Sequence, residues 1–181
     1  MSRRSNRLSS LGVSLRGSLR ALGWVSVGLL GLSASAFAQA EVSFKDPDNF
    51  SDIGETQWDR RNAMKQIEDH IKLQASRELA GKQLKIEFTD IDLAGELEPR
   101  VSANRVRVLR TVTIPRMEFT YSLSENGKVL EEGKATVNDM NYQSSVNRYF
   151  DSEPYRYEKK LLDDWMAKEL LHKDRLARTG P

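Results

Sequence analysis

The feature that most restricts the fold of this chain is a change of hydrophobic period near residue 81. Before it, five apolar residues recur at helical spacing: Met64, Ile67, Ile71, Ala75 and Leu79. Thr56, with Asp59 three residues later, predicts a capping box at the start of this helix. After the change, Leu84, Ile86 and Phe88 alternate with polar residues, a pattern typical of a strand buried on one face. The chain therefore combines a helix with a one-sided sheet.

Further strands are predicted around this pair. "EVSF" from Glu41 indicates a short first strand, and "RVRVLRTVTI" and "RMEFTYSL" indicate two more, separated by Pro115. Asn126 and Gly127 predict a tight hairpin turn into the return strand "KVLEEGKATV". Because a two-residue turn would place apolar residues opposite charged ones, we expect a bulge near Gly133.

A second helix is predicted to close the domain, with Pro154 in its first turn. Its apolar stripe comprises Tyr157, Leu161, Leu162, Trp165 and Leu170. Two pairs at i,i+4 spacing, Lys159 with Asp163 and Lys160 with Asp164, are expected on the solvent side. The predicted fold is α+β: a mainly antiparallel sheet of four to five strands with two helices packed on one face.

The first 38 residues have the order of a secretory signal peptide: a basic stretch, the apolar run "ALGWVSVGLLGL" and a small-residue end. Cleavage is predicted after Ala38 or Ala40, followed by one domain over residues 41–172 and a polar tail over 173–181. Since no charge interrupts residues 21–40, a retained membrane anchor is the alternative. The predicted location is the periplasm, with membrane contact only through the signal peptide before cleavage.

Removal of this segment changes the net charge. Its five arginines lower the 28 basic residues to 23, against 26 acidic residues, which leaves a charge of about −3. This balance gives no reason to expect nucleic-acid binding. The chain has no cysteine, so neither a disulfide framework nor a lipid-anchored cysteine is available.

The acidic segment over residues 90–98 raises the question of a metal or catalytic site. Its carboxylates are Asp90, Asp92, Glu96 and Glu98. Calcium-loop spacing fails because Ala94 and Val101 stand where ligands are needed, so we interpret the carboxylates as solvating a strand end. A hydrolase or metal-dependent enzyme using this segment is the alternative function.

Other chemistries find little support. His70 and His172 do not have the spacing of a metal-binding helix, and each is interpreted as a partly exposed helical histidine with a hydrogen bond. Arg105 and Arg107 are interpreted as part of a solvated strand face. No nucleophile elbow or phosphate-binding glycine loop occurs, and we predict no catalytic residues, metal or cofactor.

The segment "NDMNYQSSVNRYF" mixes aromatic and amide side chains without clear periodicity. It predicts an interaction surface formed by Asn141, Tyr142, Tyr149 and Phe150. The alternative is a connection that packs its aromatic rings beneath the closing helix.

The ordered segments "VSFKDPDNFSDI", "LKIEFTDIDLAGELEP", "IPRMEFTYSL", "NDMNY" and "YRYEKKLLDDW" together resemble the bacterial exported family known as domain of unknown function 3016. The resemblance implies an envelope location and a shared fold, but no activity. We therefore expect an exported binding or structural accessory of the cell envelope that is not an enzyme and whose partner is an unknown envelope protein or ligand.

Overall fold

The first helix begins at its predicted cap. In the computed structural model, which describes residues 39–99 and 105–171, helix α1 spans Gln57–Glu78. Asp59 N donates to Thr56 Oγ1 over 3.1 Å, and Thr56 N donates to the Asp59 carboxylate over 3.1 Å. These reciprocal bonds confirm the capping box. Beyond the helix, Gly81 takes a φ of 79° and turns the chain into the next strand.

The described residues contain six strands: β1 (Gln39–Phe44), β2 (Lys82–Asp92), β3 (Glu96–Pro99), β4 (Arg105–Val108), β5 (Arg116–Glu125) and β6 (Lys128–Asn138). One sheet has the order β1-β2-β5-β6, and β3 pairs with β4 in a separate ribbon. β1 runs parallel to β2 because α1 returns the chain to the same end, whereas the other neighbours are antiparallel. The α+β prediction is confirmed, with a mixed sheet.

The sheet packs one face against the helices. Leu84, Ile86 and Phe88 of β2 are buried, and the residues between them are exposed, as predicted. In β5, Phe119 pairs with Phe88, and its ring meets the Trp165 ring edge-on at 4.7 Å between centroids. The core also contains Ile67, Ile71 and Ala75 of α1, together with Leu162 and Trp165 of the second helix. Both helices therefore cover the same apolar face.

The acidic segment is not only the end of a strand: β2 ends at Asp92, and another strand begins at Glu96. Its second half is β3, and β4 is only the first part of the strand predicted over "RVRVLRTVTI"; no strand covers residues 109–115. Gly95 makes the ribbon possible because its φ is 80°, and a Cβ there would lie 2.6 Å from Val108 O. β3 and β4 form by pairing with each other, and local residue spacing does not predict such pairing.

The predicted hairpin is present, with φ values of 51° and 79° at Asn126 and Gly127. The predicted bulge is present, three residues before Gly133: Ser124 pairs with Val129 and Leu123 with Glu131, which leaves Leu130 as the extra residue. Gly133 instead faces Tyr121, and a Cβ at this position would lie 3.3 Å from the tyrosine ring. The glycine therefore makes room for an aromatic side chain.

The closing helix, α2, spans Arg156–Trp165 and continues as a π-helical turn over Met166–Leu171. Pro154 lies outside it, not in its first turn, and Tyr155 is the N-cap with a left-handed φ of 54°. The described residues form one compact unit. The predicted signal peptide over 1–38 and the tail over 173–181 lie outside the described residues. Within 39–99 and 105–171, no helix is long and apolar enough to span a membrane.

Only one of the two predicted surface ion pairs on α2 forms. Lys160 Nζ lies 2.6 Å from Asp164 Oδ2, as expected for an exposed i,i+4 pair. Lys159 instead binds Glu153 at 2.5 Å, and both Lys159 and Asp163 are buried, with 5% exposure each. The Lys159–Asp163 prediction is wrong because α2 turns this side towards the rest of the protein.

Candidate functional site

A groove of about 650 Å³ lies between the edge strand β6 and helix α2. Its apolar lining consists of Tyr121, Ala135, Val137, Leu161 and Trp165. Within the described part of the chain, no strand pairs with the outer edge of β6. An open strand edge therefore runs alongside a partly apolar cleft.

The local sequence explains why this gap exists. Ala135 pairs with Phe119 and Val137 with Met117, so these two small side chains lie on the helix-facing side of β6. Opposite them, Leu161 and Trp165 are one helical turn apart on α2. Small residues on the strand and large ones on the helix leave a furrow between the two elements.

One end of this groove is lined by charged side chains. Lys160 Nζ lies 3.5 Å from Asp139 Oδ2 and 2.6 Å from Asp164 Oδ2. Hydrogen bonding to Asp164 raises the pKa of Lys160, so its charge is well held at this end. Ser145 Oγ donates to Asp139 over 3.3 Å. At the other end lies Lys168, for which the described residues supply no acidic partner.

Trp165 has an unusual position in the groove wall. The residue is 5% exposed, and its ring meets both Phe119 and Tyr121 edge-on, at 4.7 and 5.1 Å between centroids. Its Nε1–H is closed to solvent and has no hydrogen-bond partner among the described residues. Buried donors are nearly always paired, so this one calls for an explanation. The sequence identified Trp165 as a core residue but gave no sign of the unpaired donor.

The predicted interaction surface is divided by the structure. Asn141 is exposed and lines the β6–α2 groove. Tyr142 is 1% exposed; its OH donates to Arg110 O over 2.8 Å, and its ring meets Tyr157 edge-on at 4.8 Å. Tyr142 is therefore a packed residue of this segment: its ring lies against Tyr157, and its OH is bound to the 109–115 connection.

The remaining two residues of that surface also differ from each other. Phe150 is 83% exposed and offers free apolar area. Tyr149 is half-buried, and its OH donates to Asp163 while accepting from Gln74 Nε2 over 3.4 Å. Burial first, and the bond to Asp163 second, raise the pKa of Tyr149. Tyr149 therefore fixes the 139–155 connection to the helices.

A buried polar cluster forms where α1 meets α2. His70 Nε2 lies 2.8 Å from Asp163 Oδ1, and Arg148 lies 2.7 Å from Asp163 Oδ2. His70 was expected to be partly exposed, but its residue exposure is 7% because α2 covers it. His172 lies outside the described residues. The cluster ties α1, α2 and the 139–155 connection to one carboxylate.

The carboxylates of the acidic segment are separated. Asp90 accepts from Ser51 N at 2.7 Å and Ser51 Oγ at 2.8 Å, and lies 3.4 Å from Arg116. Asp92 lines a different groove, of about 610 Å³, together with Asp52 and Glu96. Burial, and next the charge of Asp52, raise the pKa of Asp92. Asp90 is thus used to anchor the chain around Ser51 to β2.

Sequence reasoning missed two charged residues that bind the chain around Asp52 and Gly95. Arg107 binds Asp52 through both terminal nitrogens, at 2.7 and 3.1 Å, and donates to Gly95 O over 3.0 Å. Arg107 is half-buried and bound to Asp52, so it is not simply part of a solvated strand face. Glu158 is 3% exposed and accepts from Ala94 N over 2.7 Å, and burial raises its pKa. Its position three residues before Leu161, on the apolar stripe, was an available signal.

A metal site within residues 39–99 and 105–171 would need several ligating side chains close together. In that part of the chain, no group of three or more His, Cys, Asp or Glu residues is placed to hold a metal ion.

The fold and the groove together define a class: an α+β domain with one sheet face covered by helices and an open edge strand beside a cleft. Comparison with protein families then identifies it further. Residues 38–168 match the family described as Protein of unknown function (DUF3016), and the chain belongs to this family. No curated protein matches the chain significantly.

Proposed function

We propose that this protein is an exported, non-enzymatic binding accessory of the bacterial cell envelope that captures an extended peptide segment along β6. The observation that carries the proposal is an eleven-residue edge strand beside the groove formed with α2. An extended peptide can add a strand to such an edge, with main-chain hydrogen bonds for affinity and side-chain contacts in the cleft for specificity.

The edge strand is suited to this role. Its bulge at Leu130 lies near the hairpin, and beyond it residues 131–138 keep an uninterrupted register with β5. Proline is absent from β6, so each of its residues retains a backbone donor. Residues 131–138 therefore form a regular strand edge, and residues 134–138 of it line the groove.

Support for export comes from the N-terminal sequence and from β1. Cleavage after Ala38 would leave β1 whole, because the strand begins at Gln39. Ala40 pairs with Leu84 and belongs to the apolar core at 9% exposure. A mature chain that starts at Gln39 therefore keeps every residue of the first strand. The partner is then a protein of the envelope, reached in the periplasm.

Photo-crosslinking in cells tests the peptide proposal. A photoreactive residue at Asn141, which is exposed and lines the groove, should crosslink to one extended segment of an envelope protein, and a synthetic peptide of that segment should bind the purified protein. Ala135→Leu should fill the cleft and abolish both results. Glu132→Leu is the matched control because its side chain lies on the opposite face of β6 and the residue does not line the groove. Equal effects of the two substitutions would contradict peptide binding in this groove.

A second candidate function is hydrolysis in the groove lined by Asp52, Asp92 and Glu96. Its specific support is that Asp92 lines one groove with Asp52 and Glu96 and has a pKa raised by burial, since acid–base catalysis uses paired carboxyl groups with different pKa values. Assays against peptide, glycan and phosphodiester substrates test it, with Asp92→Asn as the matched variant. Equal turnover by parent and variant would remove Asp92 from any catalytic role.

A further inference from the structure

We infer that Trp165 and Lys168 recognise a carboxylate on the bound peptide, so that the ligand of the β6–α2 groove is an acidic extended segment. This inference rests on the proposed peptide-binding function and adds the chemical class of the ligand. It starts from the indole Nε1–H of Trp165, which is buried without a partner.

An unpaired buried donor lowers the stability of the free protein, because it has left water without gaining another hydrogen bond. Phenylalanine at this position would supply an aromatic ring for the contacts with Phe119 and Tyr121 without that cost. A tryptophan at this position has an advantage over phenylalanine if its Nε1–H forms a hydrogen bond in another state of the protein. Because Trp165 lines the groove, the state with a ligand in place meets that requirement.

Lys168 indicates the charge of the acceptor. It lies three residues after Trp165, which places the two side chains on the same side of the helical segment, and it lines the same groove. It is exposed and has no acidic partner among the described residues. An ammonium group and an indole N–H are both donors, so the complementary group is an acceptor with negative charge.

The groove is asymmetric, which gives the ligand a polarity. At the opposite end, the Lys160 ammonium already lies between Asp139 and Asp164. Since Lys160 already has acidic partners within the protein, a ligand carboxylate should bind more favourably at the Lys168 end. Nε1 is closed to solvent in the free protein, so entry of the carboxylate must move a groove-lining side chain. An acidic side chain and a peptide C-terminus would both supply the required group.

Peptide titrations test the inference. The probe is a decapeptide selected on the purified protein from a random display library, with Ala135→Leu used to verify that it binds in the groove. Replacing its acidic residues by the corresponding amides, or amidating its C-terminus, should weaken binding by roughly tenfold or more. The change that weakens binding identifies the carboxylate that Trp165 and Lys168 bind. Trp165→Phe and Lys168→Gln should each cause a similar loss, while Trp58→Phe, at an exposed position, should not.

Proton–nitrogen NMR gives a second readout that does not depend on a folded Trp165 variant. The indole N–H resonance of Trp165 should move downfield when the peptide is added, and that of Trp58 should stay in place. If Ala135→Leu abolishes binding of the selected peptide but neither Trp165→Phe nor removal of the peptide's carboxylates changes its affinity, the carboxylate inference is wrong and the peptide-binding function stands. If no selected peptide is blocked by Ala135→Leu, the proposed function itself fails.

Discussion

His70 Nε2 and Asp163 Oδ1 lie 2.8 Å apart, with side-chain exposures of 5% and 2%, although 93 residues separate them in the sequence. The same carboxylate binds Arg148 and accepts a hydrogen bond from Tyr149. One aspartate therefore joins α1, α2 and the connection that follows β6. That connection contributes Asn141 and Ser145 to the groove, so the cluster also fixes part of the groove wall.

Asp163→Ala should destabilise the protein by about 3–5 kcal/mol, because it leaves His70, Tyr149 and Arg148 without their shared acceptor. Asp164→Ala is the matched control one residue away. It removes an exposed pair with Lys160 and should change the free energy of unfolding by about 0.5 kcal/mol or less. Urea denaturation of both variants measures the difference. Equal losses would show that the buried cluster does not hold these segments together.

Glu158→Gln should stabilise the protein increasingly as pH rises. Burial raises the pKa of Glu158 above its ordinary value of 4.5, so above pH 4.5 the unfolded chain releases this proton more readily than the folded one. The stability contribution of Glu158 is thus full below pH 4.5 and is lost as pH rises through the folded pKa. Glutamine does not ionise but can still accept from Ala94 N. Denaturation of parent and variant from pH 4 to 8 checks this; a constant difference would refute it.

The mature N-terminus should be Gln39. Cleavage after Ala40 would remove two residues that pair with Gln83 and Leu84, one of them in the core. Mass spectrometry of the protein from the periplasmic fraction identifies the terminus. As a check, a chain that begins at Glu41 should unfold with roughly 1 kcal/mol less free energy. A natural terminus at Glu41, or uncleaved protein in the membrane, would contradict the prediction.

Tyr142→Ala and Phe150→Ala should separate structure from recognition within the predicted interaction surface. Tyr142 is buried, so its truncation should cost about 3–5 kcal/mol. Phe150 is 83% exposed, so its truncation should change stability by about 0.5 kcal/mol or less. Thermal unfolding measures both. Phe150→Ala is therefore the variant in which a loss of partners can be assigned to a lost contact; a large loss of stability would place this ring in the core.

Calcium and magnesium should leave the melting temperature unchanged. Asp90 is occupied by Ser51 and Arg116, and Asp92 lies in a separate groove. A metal at one hundred times its dissociation constant would add about 2.7 kcal/mol, which a melting curve readily detects. A rise with either ion that disappears in an Asp90→Asn, Asp92→Asn variant would restore the metal hypothesis for the acidic segment.

Local patterns in the sequence determined much of the fold. The Thr56–Asp59 cap, the alternation of β2 and the Asn126–Gly127 turn each depend on residues a few positions apart. Such features follow from the periods of helix and strand and from the backbone preferences of single residues. The same patterns predicted the α+β class and the resemblance to a family that the chain proves to match.

Tertiary packing alone decided which charged residues are buried. Lys159–Asp163 and Lys160–Asp164 have identical spacing, so the sequence treated them alike. The rotation of α2 against α1 turned Asp163 towards His70 and left Asp164 exposed. Likewise, β3 and β4 became a ribbon only by pairing with each other. The groove and the unpaired Nε1–H of Trp165 arise where β6 and α2 meet. A local sequence pattern does not specify which distant segments will come into contact.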